Sequence, residues 1–249
     1  MSNIASNPGM SIEHAHRKQN SETASNKVTI PEYLQKTYWW AYVHPRAVRI
    51  FEREWLVNLI LFGNYAKLRA CALDEIGPQA SGRTLQIACV YGDLTPRLRE
   101  RHGADGALDV VDVLPIQLQN LERKLAPDTS VALYQHNSAA LGFADASYDR
   151  VLVFFLLHEQ PESTRRGTLA EAFRVVKPGG TIIIVDYHGP RKWNPLRLPL
   201  LALLRHLEPF ADDLFQHALE TYFPPDIKPA TLRKQTYFGG LYQKIVLTR

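Results

Sequence analysis

The chain has 249 residues, 45% of them apolar and 22% charged, with a formal net charge of +4. That length suits one sizeable core with a small appended element, and the dispersed Lys and Arg form no basic run of the kind that marks nucleic-acid binding. The two cysteines, Cys71 and Cys89, stand in no CxxC or Cys/His spacing, which argues against a zinc site and for a reducing, cytoplasmic setting. No run approaches the ~18 apolar residues of a membrane span, and the first residues lack the apolar stretch of a secretory signal.

In chain order, residues 1–27 read as a polar, poorly ordered tail. Residues 28–80 are dense in aromatics, with helical recurrence at Val48, Phe51, Trp55, Leu59 and Phe62. This predicts helices on either side of His44-Pro45 and a stop at Gly77-Pro78. Between 81 and 190 short apolar runs alternate with helical stretches, as in TLQIACV, TPRLRERHG, GALDVVDV, LPIQLQNLERKLA and VALYQHN. Such alternation predicts a doubly wound α/β core, a mostly parallel sheet covered on both faces. Residues 191–225 read as a Leu-rich helical insertion ending at Pro224-Pro225, and 226–249 as two β runs about Gly239-Gly240, an antiparallel hairpin at the sheet edge.

In such a sheet a ligand binds outside the carboxyl ends of the strands. The first strand and turn, LQIACVYGDL at 85–94, has Gly92 where backbone can approach a ligand, and Asp112 ends the second strand twenty residues later, where a carboxylate can accept ribose hydroxyls. Asp109 in the same strand is a competitor. Further on, NSAALGFADASYDRVLVFF and FRVVKPGGTIIIVDY resemble the later motifs of the ubiquinone and menaquinone methyltransferases, with Asn137, Ser138, Phe143, Asp145, Ser147, Tyr148, Asp149, Arg174, Lys177, Pro178, Gly179 and Gly180 in register. The resemblance covers about residues 80–190. It implies the Rossmann-like class I fold of enzymes that use S-adenosylmethionine (SAM).

The first motif departs from that pattern. Where those enzymes carry an acid followed by three alternating glycines, this chain has Gln86, Ala88, Val90 and Gly92. Together with PEYLQKTYWWAYVHPRAV and YFGGLYQKIVL, the altered loop is similar to the RquA-type rhodoquinone-biosynthesis proteins, relatives of the same methyltransferases. That resemblance implies conversion of ubiquinone to rhodoquinone, a ring methoxy group being exchanged for an amine with SAM as amino donor and Mn²⁺ required. It also implies a polyprenyl quinone substrate and a peripheral position on the inner face of the membrane.

Under that resemblance the cofactor would lie against Ala88, Cys89, Val90, Gly92, Asp93, Asp112, Val113, Asn137, Ser138 and Phe154. Ala88, Val90 and Tyr91 would fill space and restrict backbone around the amino-acid end of SAM, the reacting end in amine donation. Tyr42, His44, Tyr91 and His158 are the catalytic candidates. Tyr38, Trp39, Trp40 and Tyr42 are candidates for an aromatic wall against a planar ring. Mn²⁺ favours carboxylate and imidazole ligands, and Asp93, Asp112, Asp149, His158 and Glu159 are the candidates.

Each has a plainer reading. His158-Glu159 can be a polar helix start, Asn137-Ser138 a turn, the aromatic cluster an amphipathic helix packed on the core, and Cys89 a small loop filler. The segment RKWNPLRLPLLALLRHL suits either a surface helix that dips into a bilayer or a lid packed on the core. Two other functions stay open: ordinary methyl transfer to a quinone precursor or another small molecule, and a non-catalytic lipid- or protein-binding domain.

Overall fold

In the computed structural model, residues 28–126, 130–195 and 197–249 are described; the tail expected over residues 1–27 lies outside them. The chain opens with short helices: α1 (Glu32–Lys36), a π-helical turn over Trp39–Val43, α2 (Pro45–Phe51), α3 (Glu54–Ile60) and α4 (Tyr65–Ile76). Pro45 starts α2 because its missing N–H is one the first turn leaves unpaired in any case. Gly77 ends α4 at φ +74°, a backbone that L side chains rarely adopt.

The alternating region then builds β1 (Ala80–Ile87), α5 (Leu94–Glu100), β2 (His102–Asp112), α6 (Pro115–Glu122), β3 (Val131–Gln135), β4 (Tyr148–Phe154), α7 (Glu162–Val175) and β5 (Val176–Tyr187). The insertion contributes α8 (Arg197–Leu207) and α9 (Asp212–Gln216), and β6 (Thr231–Tyr237) and β7 (Tyr242–Thr248) close the chain. Seven strands form one sheet in the order β3-β2-β1-β4-β5-β7-β6. The first five run parallel, while β7 pairs antiparallel with both β5 and β6. Both expectations, a mostly parallel doubly wound sheet and a terminal antiparallel hairpin, therefore hold.

The period-two pattern of the strands sorts the core into two layers. Leu152, Phe154, Ile183 and Val185 face one way, onto Leu68, Leu98 and Leu204. Their neighbours Val151, Val153, Ile182 and Ile184 face the other way, onto Leu169, Phe173 and Leu219. Each fully buried aliphatic side chain contributes about 1.5–3 kcal/mol, so both faces of the central strands are fixed. Strand order reverses between β1 and β4, and the carboxyl ends of those two strands form the crevice where a site belongs.

Candidate functional site

A cavity of about 250 Å³ opens at that crevice. It is walled by the β1 loop (Ala88 to Tyr91), the end of β2 (Val111 to Leu114), residues His136 to Ser138, the end of β4 with its loop, and the N-terminal helices. Phe154, from strand β4, and Asn137 and Ser138, after β3, lie on this wall. Asn137 also forms the turn that its plainer reading described, Oδ1 accepting from Ala139 N–H at 2.9 Å. Ser138 is engaged by Thr168 Oγ1 at 2.8 Å and by the Gln160 amide at 3.0 Å.

The two aspartates of β2 have different surroundings. Asp109 is bound to Arg83 at 2.6 Å and receives the Tyr148 hydroxyl at 2.8 Å. Asp112 reaches the cavity and accepts Cys89 N–H on one oxygen and Leu114 N–H on the other, both at 2.8 Å. Burial pushes its carboxyl up to about 6, against those hydrogen bonds. Each carboxylate oxygen keeps a second lone pair, so the group can still accept from a ribose. A carboxylate acceptor at this strand end fits the ribose of a nucleoside cofactor.

The β1 loop is held almost entirely by the protein. Ala88 sits at φ +75°, a left-handed position, and gives its N–H to Val111 O at 2.8 Å. Gly92 is at φ +85°, and a Cβ there would strike the hydroxyl end of Tyr65. That glycine therefore makes room for a tyrosine. Glu52 accepts from Gly92 N–H at 3.1 Å, Tyr65 Oη accepts from Asp93 N–H at 3.0 Å, and Lys124 Nζ donates to Gly92 O at 2.9 Å. Tyr91 stacks between Tyr42 and Phe51, with ring centroids at 5.7 and 5.9 Å. Its hydroxyl donates to Ala41 O at 2.7 Å and accepts from the Gln117 amide at 2.9 Å. The Cys89 thiol is pushed up by burial, consistent with an inert filler.

Opposite this loop lies a buried acid–base cluster. His158 and Glu159 occupy a 3₁₀ turn after β4. His158 Nδ1 is 2.8 Å from Asp186 Oδ1, and its Nε2 is 3.7 Å from Glu159 Oε1. Burial alone would lower the imidazole, but the Asp186 carboxylate outweighs it and raises His158 to about 9. Asp186 is itself held by Leu157 N–H at 2.8 Å and Tyr187 N–H at 2.7 Å. Burial pushes Glu159 up, and the Tyr42 hydroxyl donates to it. The cavity wall thus carries an imidazolium beside a carboxyl group that takes up a proton above the ordinary carboxylate range.

Several expected site residues lie elsewhere. Asp93 points into Arg69, Arg97 and Tyr65 and is an ion-pair centre, away from the cavity wall. Asp149 stands at the opposite, amino end of β4, bound to Lys177 Nζ at 2.7 Å and Arg83 N–H at 2.7 Å. His44 caps α2, Nδ1 accepting from Arg46 N–H at 3.2 Å, and its ring abuts Trp39. Trp39 is 52% exposed, whereas Tyr38, Trp40 and Tyr42 line the cavity. Asp93, Asp112, Asp149, His158 and Glu159 therefore do not converge, and the described residues contain no group of three or more His, Cys, Asp or Glu arranged to hold a metal ion. The side chains present do not fit the manganese that the sequence resemblance implies.

Two acidic groups of the acid–base cluster were not signalled by the sequence. Asp186, next to last in β5 and fully buried behind His158, follows a run of four aliphatic residues, a position where a buried carboxylate could have been suspected. Glu208, which follows α8, lines the cavity. Nothing in HLEPF signals this. The motif residues that carried the resemblance, by contrast, are mainly structural: Arg174 ties Asp145 at 2.6 Å, Glu171 at 2.7 Å and Phe143 O at 2.7 Å.

Fold and cavity together define a class I SAM-methyltransferase architecture. Solved structures agree. The chain superposes on a SAM-dependent methyltransferase from Aquifex aeolicus with TM-score 0.52 and 16% identity, over 82% of this chain and 97% of that one. It also superposes on the N-methyltransferase NodS of Bradyrhizobium japonicum in complex with S-adenosyl-L-homocysteine, with TM-score 0.54 and 11% identity over 88% and 99%. Residues 48–223 match the ubiE/COQ5 methyltransferase family, to which the chain belongs. Among relatives, a demethylmenaquinone methyltransferase of Bacillus velezensis is 26% identical over 167 residues, 66% of this chain and 70% of that protein. The ubiquinone/menaquinone biosynthesis C-methyltransferase UbiE of Yersinia enterocolitica is 27% identical over 168 residues, covering 66% of each.

Proposed function

We propose that this chain is a SAM-dependent enzyme that modifies a polyprenyl quinone, exchanging a ring methoxy group of ubiquinone for an amine. One observation carries the reading: the β1 loop, which in this fold faces the amino-acid end of SAM, opens into the same cavity as His158, Glu159 and Tyr42. The loop's polar groups are spent on Glu52, Tyr65, Lys124 and Asp112. Ala88 and Tyr91 narrow the space that glycines would leave open.

Bound SAM would supply the transferred group. Asp112 would accept the ribose hydroxyls, with Val113, Asn137 and Ser138 beside the nucleoside. Tyr91, fixed between Tyr42 and Phe51, would bar the amino-acid end from the extended pose. Glu159 and His158 would hold and move the protons of the exchange, taking up the one that the amine nitrogen releases and giving one to the departing methoxy group, which leaves as methanol: a carboxyl poised near neutrality exchanges a proton at little cost, and Asp186 keeps the imidazole oriented. Tyr38, Trp40 and Tyr42 would pack against the planar ring.

The surface around the cavity mouth supports a lipid-borne substrate. Trp40, Ile60 and Leu207 line the cavity and are also exposed. Trp55 and Leu59, nearby in the chain, are exposed as well, among Arg46, Arg49 and Arg53. On α8, Leu200 and Leu204 face the core while Leu203 and Leu207 remain outside. Apolar side chains flanked by cations suit shallow insertion into an anionic bilayer, and among the described residues no helix is long and apolar enough to cross one.

Family membership favours a second reading, methyl transfer to a quinone precursor. SAM labelled separately in its methyl carbon and its α-amino nitrogen separates the two. Mass spectrometry of the quinone product is expected to find the nitrogen label; label arriving only from the methyl overturns amination.

A further inference from the structure

Helix α6 buries one stripe, Gln117, Asn120 and Leu121, at the i, i+3 and i+4 spacing of a helix face. Two of these side chains are polar, and buried polar groups need partners. Asn120 gives its amide to Glu52, the carboxylate that holds Gly92. Gln117 lies on the cavity wall, 3% exposed. Its Nε2 donates to Tyr42 O at 3.1 Å and to the Tyr91 hydroxyl at 2.9 Å.

Those two bonds fix which way the amide faces. Tyr42 O is a backbone carbonyl and can only accept. Tyr91 has a single hydroxyl proton, which goes to Ala41 O at 2.7 Å, so toward Gln117 its oxygen also can only accept. Turning the amide over would set Oε1 against two acceptors, so Nε2 takes this side and Oε1 the other. Oε1 accepts from none of the described residues, and the protein does not close it off from the cavity. The wall therefore carries one oriented acceptor without a donor.

Its position selects the donor. Gln117 stands in the first turn of α6, just past the strand end that carries Asp112, and its amide touches Tyr91 of the β1 loop. It lies between the place of the ribose and the place of the amino-acid end of SAM. The ribose hydroxyls have the Asp112 carboxylate, and a charged acceptor outcompetes an amide. The α-amino group is the donor that remains. Around it Tyr42 and Phe51 flank Tyr91, and Trp40 packs on Phe51. All four rings line the cavity, and such a wall accommodates a cationic nitrogen.

We propose that Gln117 Oε1 accepts a hydrogen bond from the α-amino group of bound SAM. The inference rests on the SAM reading above and holds whether amine or methyl is transferred. An amide carbonyl aims the nitrogen without the full negative charge that would hold it as ammonium. A carboxylate in its place would oppose loss of the proton that amine transfer requires.

Three ligands with the same neutral sulfur isolate the contact: S-adenosyl-L-homocysteine, its analogue with hydrogen in place of the α-amino group, and 5′-methylthioadenosine, which lacks the amino-acid end. In calorimetric titrations of the full-length protein, wild type is expected to bind the first about tenfold more tightly than the second, the equivalent of about 1.4 kcal/mol. In Gln117→Leu that preference is expected to shrink to about twofold, with methylthioadenosine binding unchanged. Gln117→Glu keeps an acceptor and is expected to retain the preference, which covers the case in which lost donors to Tyr42 and Tyr91 unfold the leucine variant. No preference in wild type, an undiminished one in Gln117→Leu or a lost one in Gln117→Glu overturns the contact. Equal weakening of all three ligands in Gln117→Leu overturns it in favour of a prop for the wall. Those outcomes spare the SAM reading; a wild type that binds none of the three ligands removes that reading and the contact with it.

Discussion

Two of the three arginines of helix α7, Arg165 and Arg174, sit near opposite ends and do opposite work. Arg174, in its last turn, is part-exposed and closes a clamp of Asp145, Glu171 and Phe143 O at the amino ends of the strands. Arg165, in its first turn, is fully buried and gathers three carbonyls at the carboxyl ends, from both the β4 loop and the insertion. At the amino ends every motif charge has a nearby partner and the cluster is complete. At the carboxyl ends three carboxyl groups, Asp186, Glu159 and Glu208, share the His158 imidazole, and Glu159 is raised by burial. The strands are thus locked from one end and leave unfinished chemistry at the other.

Replacing the two arginines tests this contrast most severely. Arg165→Leu leaves the Gln160 and Phe210 carbonyls buried without donors, leaves the Leu157 carbonyl with Gln160 N–H alone and removes the partner of Asp213, so a loss of about 3–5 kcal/mol is expected from denaturant unfolding. Arg174→Leu, where water can replace the lost bonds, is expected to cost about 1–2 kcal/mol. Equal costs would show that the two ends are held in the same way.

The next effect concerns pH. His158 titrates at about 9 in the folded protein against an ordinary 6.5. A raised folded value means that the stabilisation is complete below 6.5 and is lost as pH rises through about 9; the gap corresponds to about 3 kcal/mol. Asp186→Asn removes the charge responsible. The variant is expected to have a flatter stability profile between those two pH values, and its His158 ring protons should titrate near or below the ordinary value by NMR. A profile as steep as wild type would assign the charge to another group.

Much of this was legible in the sequence, and the limit has a physical cause. Alternating apolar runs gave the strands because period two follows from strand geometry; of the pair Gly92 and Asp112, which belong to one βαβ unit, Asp112 lies on the cavity wall while Gly92 sits behind it against Tyr65. The motif from Asn137 to Asp149 was read correctly as family resemblance, yet most of its charged members stabilise the far end of the sheet. Asp93 and His44 were misplaced because spacing does not tell which way a side chain turns: Arg69 and Arg97 draw Asp93 outward, and the start of α2 takes His44 as a cap. Glu208 was invisible because 50 residues separate it from His158, its neighbour across the cavity, and only the folded insertion brings them together.

Two smaller substitutions sharpen the contrast within the β1 loop itself. Gly92→Ala puts a Cβ into the Tyr65 hydroxyl at φ +85°. Left-handed strain of about 1–2 kcal/mol and the displaced tyrosine together predict a loss of about 2–3 kcal/mol in chemical unfolding. Ala88→Gly is the reverse case. Ala88 already occupies φ +75°, so glycine relieves about 1–2 kcal/mol of strain and returns part of it through a freer unfolded chain, about 0.4–1 kcal/mol. A net gain of about 0.5 kcal/mol is expected in the same measurement. The residue retained at this position would then be less stable than its alternative, as strain kept at a working site is. If Ala88 helps to hold the amino-acid end of SAM out of its extended pose, Ala88→Gly also shifts product label from nitrogen toward methyl. A loss of stability instead would show that the Ala88 methyl is a packing contact, and the altered loop would have to be explained by Tyr91 and its stack on Tyr42 and Phe51 alone.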